Sequence, residues 1–152
     1  MRAFRLVKAK RAASAFDGEG ARRVGGRWNS VGTPVVYVAS SVALAALEVL
    51  VHLDDPALLS AYSVIGVEFE KTLVETVQAL PPDWNALPAP AACASLGDEW
   101  ARAQRSAVLR VPSAVVPLEA NFLLNPRHAD FARIAIGDTL PFAFDERLWK
   151  SR

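Results

Sequence analysis

The chain has one cysteine, one methionine and two histidines in 152 residues. With Cys93 alone, no disulfide can close within the chain, and a lone cysteine fits a reducing, cytoplasmic setting. His52 and His128 are far apart and Cys93 has no second thiol, so the ligand spacings of a zinc site are missing and no metal is expected. The longest apolar run, Val42 to Val51, is too short to span a bilayer and is interrupted by Glu48, so no membrane contact is expected. The N-terminal MRAFRLVKAKR has the basic residues of a secretion signal without the apolar stretch that should follow. Phosphate-binding glycine patterns fail as well. Gly18, Gly20 and Gly25 do not make a dinucleotide fingerprint, because Arg23 stands where the third glycine belongs and no strand leads into the turn. There is no GxxxxGK[ST], no HExxH and no GxSxG.

What remains is an ordinary globular composition, 52% hydrophobic and 22% charged, in a length that suits one domain over residues 1–152. The net charge of +1 hides an asymmetry. Residues 1–27 carry eight Lys/Arg against two acidic residues, net +6; the rest carries nine against fourteen, net −5. Such a segment suits an anionic ligand, either nucleic acid or a phosphate-bearing small molecule, or it is simply a solvated basic arm.

Phe4 to Val7 reads as a strand, Ser14 to Gly26 as a long polar loop, and Pro34 to Val38 as a second strand opened by a proline. Ser40 or Ser41 is placed to cap a helix over Val42–His52, which Asp54-Asp55-Pro56 would end. That helix is apolar almost all the way round, which predicts burial. From Tyr62 to Glu70 apolar and polar residues alternate, with Ser63, Ile65, Val67 and Phe69 on one face of a strand. A Pro-rich loop over 81–90 and a helix over Gly97–Ser106 anchored by Trp100 follow. Further strands are expected at 108–111, 115–116, 133–136 and 141–144. Short strands with few helices, in no strict alternation, give an α+β fold of short strands around a buried helix.

Three residues invite a functional reading. Glu48 is a carboxylate in an otherwise apolar helix, costly unless paired with His52 or an arginine, or used by a ligand. Arg27 lies in a glycine-rich turn where a ligand can approach the backbone, though it could also stack on Trp28. Tyr37 precedes the Glu48 helix closely enough to share a pocket with it, and equally suits the core.

Asp17-Gly-Glu-Gly-Ala21, Gly25-Gly-Arg-Trp-Asn-Ser30, Val35-Val-Tyr-Val-Ala-Ser-Ser41 and Ala45-Ala-Leu-Glu-Val-Leu-Val-His52 resemble the N-terminal half of the RES domain. Leu109-Arg-Val-Pro-Ser113, Asn121-Phe-Leu-Leu-Asn-Pro126, His128 and Asp145-Glu-Arg147 resemble its second half, so the likeness covers nearly the whole chain in order. The resemblance implies an ADP-ribosyltransferase-like fold and the toxin half of a toxin–antitoxin pair that consumes NAD⁺ as substrate. It further implies a helix-turn-helix, Xre-type antitoxin that covers the active site, no direct contact with nucleic acid, and an assembly state that leaves room for a homodimer.

The arginine, glutamate and serine that name the family fall on Arg27, Glu48 and Ser113, with Ser106 as the rival serine. On this resemblance Arg27, Tyr37, Glu48 and Ser113 are catalytic, and Gly26, Arg27, Asn29, Ser30, Tyr37, Ser106 and Asn121 line the NAD⁺ site. Cleavage of the nicotinamide–ribose bond passes through an oxocarbenium-like transition state that Glu48 would stabilise. Arg27 would hold the pyrophosphate and Tyr37 would stack on the nicotinamide or ribose. The acceptor, whether water, phosphate or a protein side chain, stays open. Two rivals stand beside this expectation. One is a nucleic-acid-binding module built on the basic N-terminal segment. The other is a degenerate member that only binds its antitoxin, against which the intact Arg27, Tyr37 and Glu48 argue.

Overall fold

A computed structural model describes residues 1–53 and 61–149; the expected helix stop at Asp54-Asp55-Pro56 lies outside them. Seven strands form one sheet: β1 (Arg2–Lys8), β2 (Val36–Ala39), β3 (Tyr62–Glu68), β4 (Val74–Thr76), β5 (Val108–Pro112), β6 (Ala120–Leu124) and β7 (Ala135–Phe142). Among the described residues three α-helices accompany them: α1 (Glu19–Val24), α2 (Val42–Leu50) and α3 (Ala91–Ala103). The strand order is β4-β5-β6-β2-β1-β3-β7, antiparallel except for the β4–β5 pair. The architecture is α+β, as expected. Among the described residues no helix is long and apolar enough to cross a membrane.

The register sorts the side chains onto two faces. On one face Ala3, Val36, Val38, Val67, Phe122 and Leu124 build a core. On the other, Leu6 and Ala39 meet Leu44 and Ala45 of α2, while Leu109, Val111 and Leu123 meet Cys93 and Trp100 of α3. Both helices therefore flank one face. Ala39 pairs with Asn121 and Leu123 with Tyr37, so Tyr37 and Asn121 project from that same face.

Several expectations change here. The polar stretch after β1 contains α1, whose start is fixed by Asp17 Oδ1 accepting from the Glu19 N–H at 2.8 Å. Ser41, in extended conformation, is the α2 cap and accepts from Leu44 N–H at 3.0 Å. The sheet covers one side of α2 only, leaving Leu47 39% and Val51 56% exposed, so the uniform apolarity of this helix exceeds what it buries. Val115–Val116 is not a strand, because both N–H groups turn back to Ser113 Oγ, at 3.1 and 2.9 Å. The strands expected at 133–136 and 141–144 are one continuous edge strand, β7, in which an edge position tolerates Pro141. The expected 97–106 helix runs over 91–103 instead, and β4 and β6 come in addition.

Candidate active site

Glu48, Ser113 and Asn121 meet above the face from which Tyr37 projects. Glu48 Oε1 accepts from Ser113 Oγ at 2.7 Å and from Asn121 Nδ2 at 2.5 Å; Oε2 has no hydrogen-bond partner among the described residues. Neither partner is basic, so the carboxylate is oriented without being neutralised. Among the described residues neither His52 nor an arginine, the alternative structural partners, makes an ion pair with it. Ser113 is fully buried and held from both sides, accepting the Val115 and Val116 N–H groups while donating to Glu48. Ser41 ties this loop to α2, since its hydroxyl donates to Glu119 Oε2 at 3.1 Å.

Tyr37 joins this cluster to the Gly26–Ser30 turn. Its hydroxyl donates to Asn29 Oδ1 at 2.8 Å and accepts the Trp28 N–H at 3.1 Å. Burial pushes the phenol well above its ordinary range. The Trp28 hydrogen bond and the Arg27 charge oppose that shift, and Asp98 and Glu48 add to it. Tyr37 is thus a neutral donor, and Arg27 and Glu48 both lie near enough to act on it electrostatically. Gly26 is required by this network: a Cβ there would sit 2.7 Å from the Tyr37 hydroxyl and 3.0 Å from Asn29 Oδ1.

Arg27 Nη1 donates to the carbonyls of Trp84 and Ala86 at 2.6 and 3.0 Å. Among the described residues it has no carboxylate partner, and its Nε and Nη2 make no hydrogen bond. Trp28, the alternative stacking partner for Arg27, stacks on Trp84, with ring centroids 6.3 Å apart.

The remaining expected residues divide. Asn29 is 1% exposed and its amide is fully used inside the protein, donating to the carbonyls of Ala21, Ser30 and Thr33. It supports Tyr37 and has no donor left for a ligand. Ser30 is exposed, and its N–H is held by Asp98 Oδ1 at 2.9 Å. Ser106 lies outside the cluster, accepting from Trp100 Nε1 at 2.8 Å and donating to the Val108 carbonyl.

Sequence reasoning missed Gly97, Asp98 and the two carbonyls that hold Arg27. Gly97 carried a signal, being an isolated glycine within a helical pattern. A Cβ there would lie 1.8 Å from the Trp28 carbonyl oxygen, so α3 and the Arg27 turn touch through it. The carbonyls carried none, since any residue supplies one.

The chain matches the RES domain over residues 2–145. It is 42% identical to a protein named Toxin Res from Photorhabdus laumondii, over 98% of this chain and 97% of the relative. It is 39% identical to one named Prs ADP-ribosylating toxin from a Sphingobium species, over 90% and 88% of the two chains. Among solved structures, the toxin–antitoxin complex MbcT–MbcA of M. tuberculosis gives a TM-score of 0.75 at 21% identity, covering 97% of this chain and 85% of that one. That likeness shows the fold.

Proposed function

Because the chain belongs to the RES-domain family, we propose that it is the toxin of a toxin–antitoxin pair and that it consumes NAD⁺ by cleaving the nicotinamide–ribose bond. The observation that carries the reading is the Glu48 carboxylate, fixed through one oxygen by Ser113 and Asn121, with the other oxygen unpaired among the described residues.

As the bond breaks, positive charge grows on the ribose anomeric carbon and ring oxygen. A carboxylate oriented by two neutral donors keeps its full charge to stabilise that cation and accepts from the ribose hydroxyls. Arg27 presents Nε and Nη2 to the pyrophosphate. Tyr37, kept neutral, forms the floor against which the nicotinamide or ribose packs. Nicotinamide leaves readily, so no strong general acid is required. We assign the family serine to Ser113, which touches Glu48, rather than to Ser106, which does not. An antitoxin with a helix-turn-helix domain is the proposed partner and the cytoplasm the proposed compartment.

Water or phosphate is the proposed acceptor. A protein side chain is the second reading, favoured by the name of the Sphingobium relative. The test measures NAD⁺ loss and nicotinamide release by the purified chain, with and without phosphate, beside Glu48→Gln. Loss that disappears in Glu48→Gln while the melting temperature holds supports the reading, and phosphate dependence identifies the acceptor. A Glu48→Gln protein as active as the wild type overturns it. Arg27→Ala is expected to raise KM for NAD⁺, by about tenfold or more if one charge-assisted contact is lost; an unchanged KM removes Arg27 from substrate binding.

A further inference from the structure

We infer that Trp84 is a positioning residue for Arg27, acting through the Pro-rich segment 81–90; this rests on the reading of Arg27 as the pyrophosphate-binding group. The two acceptors that orient Arg27 are main-chain carbonyls 57 and 59 residues further along the chain. A carboxylate in that place would aim the guanidinium but also cancel its charge and compete with an anionic ligand. Carbonyl oxygens aim it and leave the charge available.

Those oxygens need an anchor of their own. A turn closed by the Ala86 N–H donating to the Asp83 carbonyl at 2.8 Å sets residues 84 and 86 against Arg27. The Trp84 ring lies at 25° to the ring of Trp28, the residue next to Arg27, and Trp28 is 2% exposed. The Cys93 thiol donates weakly to the same Trp84 carbonyl, at 3.7 Å. Four prolines in ten residues lower the entropy lost when this segment is held. Leu87, within the segment and next to Ala86, is 88% exposed. Trp84 is therefore the side chain that fastens the carbonyl pair to the body of the protein.

The test uses full-length Trp84→Ala, Trp84→Leu and Trp84→Phe with two readouts. The first is the rate of phenylglyoxal modification of Arg27, followed by mass spectrometry, which needs no enzymatic activity. The second is the split between KM and kcat for NAD⁺. Freeing one rotamer-rich side chain corresponds to a three- to tenfold change by order of magnitude, roughly. Trp84→Ala and Trp84→Leu are expected to label faster and to raise KM by about that factor, with kcat within about twofold. Trp84→Phe, which keeps a ring to stack, is expected to stay near wild type in both. Unchanged Arg27 labelling in a variant with the wild-type melting temperature overturns the inference, and so does a Phe variant no better than Leu. Faster labelling in a chain whose wild type leaves NAD⁺ intact overturns the NAD⁺ reading and supports the positioning role.

Discussion

Gly26 leaves no room for a methyl group, since the Tyr37 hydroxyl already occupies the place of a Cβ at 2.7 Å. Gly26→Ala is expected to break the Tyr37–Asn29 hydrogen bond and cost about 1–3 kcal/mol. The loss would appear as a lower melting temperature and reduced turnover together; a fully active Gly26→Ala protein would show that the network is dispensable. Burial raises both tyrosines of the chain, Tyr37 and Tyr62, above the ordinary phenol range near 10. The neutral phenol is the favoured folded form, so its contribution to stability is complete below about pH 10 and lost as pH rises through the raised folded values. A 295 nm titration of the folded protein is expected to show phenolate forming only above the ordinary midpoint near pH 10, latest for Tyr37; ionisation of both at about pH 10 in folded protein would contradict this. Arg27, Tyr37 and Glu48 stood out in the sequence because a resemblance marks them, and their roles in a site remain the proposal that Glu48→Gln and Arg27→Ala test. Asn29 was not legible, because sequence cannot tell an amide that faces a ligand from one whose donors and acceptor are all used inside the fold.

α3 carries the Gly26–Ser30 turn at two successive residues, through the side-chain-free contact at Gly97 and through Asp98 on the Ser30 N–H. Gly97→Ala is expected to force the turn off the helix at a cost of about 1–3 kcal/mol. At about 2–4 °C per kcal/mol for a chain this size, the melting temperature should fall by several degrees, and Arg27 should lose its register with Trp84. An unchanged melting curve would show that α3 can shift without harm. For Asp98, burial favours the protonated acid, but hydrogen bonds from Ser30 and Thr33 and the charge of Arg102 outweigh it and hold the carboxyl below its usual value. Its stabilisation is therefore full above about pH 4 and lost as pH falls through the depressed folded value. Asp98→Asn should flatten that acid limb of the stability curve. Among elements, β1, β2, α2 and β3 were readable from period and capping. β6 was not, because Phe122, Leu123 and Leu124 are buried on both faces and show no alternation. β7 was read as two pieces, because Gly137 and Pro141 look like breaks and its place at the sheet edge excuses both.

For the whole molecule, the basic N-terminal segment does not form one continuous cationic surface. Arg22 and Arg23 flank Glu19, Arg2 pairs with Glu68, and Arg5 reaches inward to the Tyr37 carbonyl at 2.7 Å. Burial lowers the Arg5 guanidinium to about 10, only partly offset by Asp17. Duplex DNA is accordingly expected to show no shift at about 0.15 M salt; binding that disappears when Lys8, Lys10 and Arg11 are replaced would restore the nucleic-acid reading. The sheet order has a consequence for synthesis. Ser113 and Asn121 lie 65 and 73 residues after Glu48, and β6 inserts between β5 and β2. A ribosome extending the chain at about 5–20 residues per second exposes Arg27, Tyr37 and Glu48 several seconds before the residues that aim the carboxylate. On the proposed role of Glu48, a nascent or truncated chain ending before Ala120 is expected to spare the cell that makes it, the poison being armed only when translation is nearly done.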